Sequence, residues 1–170
     1  MKKLVIGIML FGIASLGYSQ KVKQMFEEVT LTGVTVSPII NSEYLQKVQD
    51  GSTPLPAKIL ENAVARYNVK DSEVYEDNID GYIVEFKQNG GRVIATFNGK
   101  GNIVDAYEVY ENVRLPHPVL VDISRNHSGW IANYSKYIVA YERSKNVRKM
   151  FKIRLGKDGN RKTMKVHMSM

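Results

Sequence analysis

Apolar and polar residues alternate along the middle of the chain, and this period-two pattern predicts strands. Between Gly81 and Glu111, three alternating runs are separated by the turn sequences NGG and GKG. Asn-Gly is a strong signal for a two-residue hairpin turn, and a turn at Asn89-Gly90 sets the register of the first two runs. That register places apolar residues opposite one another on one face: Tyr82 and Phe97, Val84 and Ala95, Phe86 and Val93.

The same pattern returns near the end of the chain. The sequence SKYIVAYER predicts a strand in which Tyr137, Val139 and Tyr141 share one face. A turn at Asp158-Gly159 then predicts a hairpin that sets Ile153 opposite Met164 and Phe151 opposite Val166. Each alternating region therefore predicts an antiparallel meander of three or four strands.

A short helical pattern that begins with Leu-Pro precedes each meander. The motif LPAKIL at Leu55–Leu60 recurs as LPHPVL at Leu115–Leu120. Proline suits the first turn of a helix, because backbone N–H groups there have no hydrogen-bond partner within the helix and proline lacks this group. Apolar residues follow at helical spacing. In the first copy they are Ile59, Leu60, Ala63, Val64 and Tyr67; in the second, Val119, Leu120, Ile123, His127 and Trp130.

These patterns together predict an α+β fold. Two tandem helix-plus-antiparallel-meander units, residues 55–114 and 115–170, form one compact body in this interpretation. Residues 20–54 lie outside the repeat and comprise an N-terminal strand and a linker. The strand candidate is EEVTLTGVTV, where Gly33 suits a bulge, and Glu43–Val48 can form a short helical turn.

The first residues have the composition of a secretory signal. Lys2 and Lys3 precede an apolar run from Leu4 to Leu16, and small residues follow as a signal peptidase requires. We therefore expect residues 1–19 to be a cleavable signal peptide and the mature protein to be periplasmic or secreted. The run is too short to span a bilayer, which needs about 20 residues, so we expect no stable membrane insertion after cleavage. Lipid attachment is not expected, because no cysteine follows the cleavage point.

No motif in the chain indicates a catalytic, cofactor-binding or metal-binding residue. The 170 residues include no cysteine, which excludes a catalytic thiol and thiolate metal ligands. The three histidines, His117, His127 and His167, lack metal-ligand spacing. No G-x-S-x-G motif occurs, and the glycine-rich segment matches neither nucleotide-binding pattern. We therefore predict a protein that is not an enzyme, with a small hydrolase as the least favoured alternative.

Three features together resemble a family of exported proteins. These are the signal sequence, the Leu-Pro before each of two short helices, and the C-terminal segment YIVAYERSKNVRKMFKIRLGKDGNRKTMKV. They resemble the PepSY-like, β-lactamase-inhibitor-like proteins of Bacteroidetes-type bacteria over residues 55–168. The resemblance implies a helix packed on an antiparallel sheet, repeated in tandem, with no established enzyme activity. It also implies a binding role, since related modules are thought to restrain peptidases and the inhibitor namesake blocks an enzyme with a concave sheet face. No functional residue carries over.

The formal charge of +7 is concentrated at the C-terminal end. From Arg143 to Lys165 there are ten Lys or Arg and one acid. In the predicted hairpin, Lys152 lies opposite Lys165 on the polar face, and like charges in that position destabilise a strand pair. Either solvent and salt screen this cost or an anionic partner offsets it. The candidate binding surface is therefore Lys152, Arg154, Lys165 and the neighbouring Tyr141.

The favoured function is an exported, non-catalytic protein-binding module that inhibits an envelope or extracellular enzyme. A basic surface for a polyanion, such as acidic polysaccharide or nucleic acid, is the alternative, and it predicts binding that falls steeply with salt. Self-association through strand edges stays open. The sequence names no partner.

Overall fold

The computed structural model describes residues 22–24 and 37–168 of the chain, and its centre is one sheet of seven strands. The strands follow one another in the sheet in chain order. Strand β1 is parallel to β2, and the six strands β2 to β7 form an antiparallel meander. Their bounds are β1 Val22–Gln24, β2 Gly81–Gln88, β3 Gly91–Asn98, β4 Ile103–Glu111, β5 Ile131–Glu142, β6 Arg148–Lys157 and β7 Asn160–Met168.

Three α-helices accompany the sheet, so the predicted α+β class is confirmed. They are α1 Ser42–Val48, α2 Leu55–Arg66 and α3 His117–Asn126, with a short 3₁₀ helix at Val69–Asp71. Both Leu-Pro motifs lie at helix starts. Pro56 is in the first turn of α2 as expected, whereas Pro116 is the residue just before α3, whose first turn contains Pro118. Helix α1 confirms the short helical turn expected at Glu43–Val48. None of the described helices is long and apolar enough to cross a membrane.

The hairpin registers predicted from the turn sequences are confirmed. Phe86 lies opposite Val93 in the first hairpin, and Phe151 lies opposite Val166 in the last. Both turns place their first central residue and the following glycine at positive φ, 43° and 77° in the first and 47° and 77° in the second. This is the conformation that matches the right-handed twist of two strands, and Asn-Gly and Asp-Gly adopt it readily.

One face of the sheet and the inner sides of the helices form a single apolar core. Helices α1 and α2 pack against each other and over β2, β3 and β5. The buried Asn41, just before α1, ties this layer to the β3–β4 connection, because its amide donates to the carbonyl of Gly101 and accepts from the N–H of Ile103. From α3, Val119 and Ile123 belong to the same core.

Two details of the predicted helix faces are wrong. Ile59 is 49% exposed and Leu120 is 44% exposed, although both were expected on buried stripes. In α2, the buried stripe runs through Ala57, Leu60 and Val64 and includes Glu61, which a hydrophobicity pattern assigns to solvent. A hydrophobicity pattern could not place Glu61 in the core, because it counts every carboxylic acid as polar and charged, whereas a buried acid can keep its proton.

The expectations for the N-terminal region lie mostly outside the described residues. The signal peptide at 1–19 is outside them, as is the strand candidate with its bulge at Gly33. The two predicted units share one sheet, since β4 pairs with β5 from Asp105 opposite Glu142 to Glu111 opposite Lys136.

Candidate functional site

The second face of the sheet is covered by none of the described helices, which all contribute their buried residues to the core on the other side. We call this surface the open face. On strands β4 to β7 its side chains are exposed or only half-buried. They include Tyr107, Val109, Tyr134, Lys136, Ile138, Met150, Lys152, Arg154, Thr163 and Lys165.

Three lysines lie side by side across the open face. Lys136 of β5 is opposite Lys152 of β6, which is opposite Lys165 of β7. Lys136 is paired with Glu111, at 2.7 Å between Nζ and Oε1. This hydrogen bond holds the pKa of Glu111 below its ordinary value and raises that of Lys136. Lys152 and Lys165 form no ion pair with any described residue, so the row has excess positive charge.

Two cations of the open face lie over one aromatic ring, that of Tyr134. The guanidinium of Arg154 lies 5.0 Å from the centre of the Tyr134 ring, and the Lys136 ammonium lies 5.8 Å from the same centre. Cations at these distances are attracted by the ring quadrupole, by about 0.5–1 kcal/mol at exposed sites. Tyr134 therefore holds Arg154 over the sheet while leaving its N–H donors available to a partner.

The centre of the open face is a shallow groove of about 320 Å³. Tyr107, Val109 and Ile138 supply apolar surface, and the basic side chains with Thr163 form its border. The Tyr107 ring is 49% exposed. Exposed aromatic and aliphatic side chains beside arginine are the composition of protein interfaces, whose centres are enriched in Tyr, Met and Arg.

The structure brings three of the four predicted site residues together and separates the fourth. Lys152, Arg154 and Lys165 lie on the open face. Tyr141 was predicted to lie beside them, and this is wrong, because Tyr141 is 1% exposed and its ring packs edge-on against Tyr44 of α1 in the core. The alternation with Tyr137 and Val139, both fully buried, already indicated that position.

Sequence reasoning missed the part of the groove that β4 and β5 contribute. Tyr134, Lys136 and Ile138 occupy the positions of β5 that alternate with its buried residues, so the period-two pattern placed them on the open face. Their neighbours on β6 could not be known, because the connection between β5 and β6, residues 143–147, has no two-residue turn signal that fixes the register.

A buried polar cluster lies on the opposite side of the sheet, beneath α1 and α2. Glu108 of β4 is completely buried, and its carboxylate accepts hydrogen bonds from Tyr44 at 2.8 Å and Tyr110 at 2.7 Å. Burial raises the pKa of Glu108, and the bonds from Tyr110 and Tyr44 oppose the rise. The pattern Ala106, Glu108, Tyr110 along β4 already placed this acid on the core face.

Glu61 of α2 is the second acid of this cluster and is also completely buried. Burial, and after it the charge of Glu108, raise the pKa of Glu61 to about 9. The nearby amide of Gln49 donates instead to the carbonyl of Lys58. At neutral pH Glu61 therefore keeps its proton, which avoids two buried negative charges.

One ion pair lies beside the cluster. The ammonium of Lys149 is almost completely buried and lies 2.5 Å from a carboxylate oxygen of Asp50, which is partly exposed. Burial raises the pKa of Asp50, but hydrogen bonds from Lys149 and Ser52 outweigh this and hold the pKa well below its ordinary value. These contacts anchor the loop between α1 and α2 to β6.

The two Leu-Pro motifs meet at a second groove, of about 580 Å³. Leu55 and Pro56 line one side, and Leu115, Pro116 and Leu120 line the other, with Arg114 and His117 at the edge. The predicted repeat thus juxtaposes the starts of α2 and α3.

The histidines are not clustered. The ring of His127 lies 2.8 Å from the ammonium of Lys162, which in turn lies over the ring of Trp130. Within residues 37–168, no three His, Asp or Glu side chains are grouped so that they could hold a metal ion.

No protein-family model, no curated protein and no solved structure matches the chain. The function is therefore argued from the geometry of the open face.

Proposed function

We propose that this protein is an exported, non-catalytic module that binds another protein through its open face. The observation that carries the proposal is the uncovered sheet face itself, where Tyr107 and Ile138 present apolar surface beside Lys152 and Arg154. Apolar area supplies affinity in a protein interface, and charge complementarity at its border supplies orientation and specificity.

The row of lysines indicates the chemistry of the partner. Lys152 lies between Lys136 and Lys165, and a single described acid, Glu111, serves the three. A partner with carboxylates at this position removes a repulsion that the free protein retains, since like charges across a strand pair are destabilising. An acidic surface of an envelope or extracellular enzyme fits this description, and covering its surface would inhibit it.

The architecture supports a PepSY-like, tandem origin for the module. Helix α2 is followed by the meander β2 to β4, and α3 is followed by the meander β5 to β7. We propose that residues 55–114 and 115–170 are two related units whose strands merged into one sheet. The second unit contributes most of the basic residues of the open face, so the units have diverged in surface charge.

A polyanion is the second candidate ligand, and the same unpaired lysines favour it. Binding to an acidic polysaccharide or a nucleic acid would be dominated by charge and would weaken steeply as salt rises. Binding to a folded protein that also uses Tyr107 and Ile138 would retain an apolar contribution at high salt.

A capture experiment with the full chain tests the proposal. The chain is expressed with a C-terminal tag, purified from the compartment that receives it, and used to capture partners from envelope and medium fractions at low and high salt. The test variant is Lys152→Glu with Arg154→Glu. Its matched control is Lys70→Glu with Lys100→Glu, which makes the same charge change at exposed sites away from the groove.

The proposal predicts one discrete protein that is retained at high salt, captured by the control and lost with the test variant. Capture that the test variant leaves unchanged would contradict the assignment of the open face. Recovery of nucleic acid or polysaccharide alone, released by salt, would favour the polyanion. Mass spectrometry of the purified chain tests export directly, since the proposal predicts an N-terminus at Gln20.

A further inference from the structure

Among the described strands, β7 is the outermost on the side of the sheet away from β1. Its pairing with β6 is regular from Lys149 opposite Met168 to Lys157 opposite Asn160. Natural edge strands are commonly interrupted by a bulge or a proline, which prevents further pairing. Strand β7 contains no proline, and its register with β6 shows no irregularity. Its outer edge is therefore a straight row of backbone donors and acceptors.

The two faces of β7 differ in chemistry. Toward the core, Met164, Val166 and Met168 are only partly buried, because the sheet ends there and no described strand lies beyond them. Toward the open face, Arg161 and Lys165 are exposed. An additional strand beside β7 would extend both faces of the sheet. It would require apolar side chains on the core face and negatively charged side chains on the open face.

A second copy of this chain is a poor occupant of the edge. Pairing two β7 strands would bring the cations Arg161, Lys162 and Lys165 of one copy close to the same cations of the other, and β7 contains no acid to separate them. Like charges on adjacent strands destabilise the pairing. The same cations that repel a second β7 strand would attract an acidic segment.

We propose that β7 accepts an extended segment of the partner protein, with alternating carboxylate and apolar side chains, as an additional strand of the sheet. The inference rests on the proposed function and specifies how the partner is held. Main-chain hydrogen bonds supply affinity in such strand addition, and the alternating side chains supply specificity. The carboxylates lie beside Arg161 and Lys165, and the apolar side chains complete the cover over Met164 and Val166.

A synthetic peptide tests the proposal without knowledge of the partner. The probe is a ten-residue peptide of alternating valine and glutamate with blocked ends, and the comparison peptide replaces each glutamate by lysine. Two further versions of the probe are N-methylated, one at every valine and the other at every glutamate. Methylation removes one set of N–H donors, so one version loses the donors that face β7.

The proposal predicts that the valine-glutamate peptide binds, that the lysine version does not, and that at least one methylated version loses binding. Hydrogen exchange at β7 backbone amides slows on binding. Arg161→Glu with Lys165→Glu weakens binding by about tenfold or more, since two exposed attractions become repulsions, whereas Lys70→Glu with Lys100→Glu leaves it unchanged.

Three results would overturn the proposal. The first is binding of both methylated versions as tightly as the unmethylated probe, which would show attraction to the charges without a new strand. The second is no binding of the probe; if the Lys152 and Arg154 variant still loses the captured protein, strand addition fails while the open-face function stands. The third is a dimer of the free chain that the Arg161 and Lys165 substitutions dissociate, which would assign the edge to self-association.

Discussion

Glu61 makes the stability of this protein depend on pH in a direction that can be measured. The side chain is completely buried beneath α2, beside the Glu108 carboxylate. In the folded protein its pKa is raised to about 9 from a reference value of 4.5. Between these values the folded state holds a proton that the unfolded state has released, so the free energy of unfolding falls as pH rises.

The size of the effect follows from the pKa difference. Each pH unit between the two pKa values lowers the free energy of unfolding by about 1.4 kcal/mol for one proton. Because the raised pKa of Glu61 lies above pH 8, its contribution between pH 5 and pH 8 is about 4 kcal/mol. Tyr44, Tyr110 and Asp50 do not titrate in this window, because the pKa values of the tyrosines are raised well above 10 and that of Asp50 is lowered. Burial also raises the pKa of Glu108, which acts in the same direction as Glu61.

The perturbation is Glu61→Gln, which replaces the protonated acid by a neutral side chain of the same shape. Gln is neutral, as the protonated acid is, and has no proton to release, so the variant and the natural protein should be similarly stable at pH 5. At pH 8 the variant should be more stable by about 4 kcal/mol, because the penalty of holding the proton is absent. Glu73→Gln, at an exposed position, is the matched control.

Urea unfolding followed by circular dichroism from pH 5 to pH 8 measures the two profiles. The reasoning predicts that they diverge as pH rises, while the control follows the natural protein. Parallel profiles for Glu61→Gln and the natural protein would refute it, because they would mean that Glu61 releases its proton at the same pH in the folded and unfolded chain.

Three further predictions concern stability and are checked by thermal and urea unfolding. Lys152→Glu at low salt should stabilise the protein by about 1 kcal/mol, because it removes cross-strand repulsion on both sides; destabilisation would show that the lysines do not repel. Asp50→Asn should cost about 2 kcal/mol by leaving the buried Lys149 ammonium without its carboxylate, whereas Lys149→Met should be nearly neutral; equal losses would contradict this. Tyr141→Phe should change stability by less than about 0.5 kcal/mol, since no described residue forms a hydrogen bond with its hydroxyl. Tyr110→Phe should cost about 1–2 kcal/mol, because it removes a hydrogen bond to the buried Glu108 carboxylate. A larger loss for Tyr141→Phe than for Tyr110→Phe would contradict these contacts.

The meander could be predicted from the sequence because its signals are local. The Asn89-Gly90 and Asp158-Gly159 turns fix registers between strands that are adjacent in the chain. The same local logic placed Lys152 opposite Lys165 and on the polar face. Each of these inferences needed a turn type and a period of two, and neither depends on distant packing.

The residues that the sequence did not place depend on contacts between distant segments. Tyr134 and Lys136 complete the groove because β5 pairs with β6 in a register that sets them opposite Arg154 and Lys152, and no two-residue turn between these strands signals that register. Glu61 is buried because Glu108, which is 47 positions later in the chain, lies opposite it across the core. The hydrophobicity pattern of α2 assigns Glu61 to solvent, and the proton that Glu61 keeps in the folded protein lowers the cost of its burial.

Photo-crosslinking in the cells that make the protein tests whether the open face binds another protein. A photoreactive residue is placed at Tyr107 or Ile138 on the open face, and at Ile59 on the outer side of α2 as the control. We expect one discrete protein adduct from each open-face position, which is lost when Lys152 and Arg154 are both changed to Glu, and no such adduct from Ile59. The same adduct from Ile59, or no protein adduct from either open-face position, would contradict the claim that the open face binds a protein.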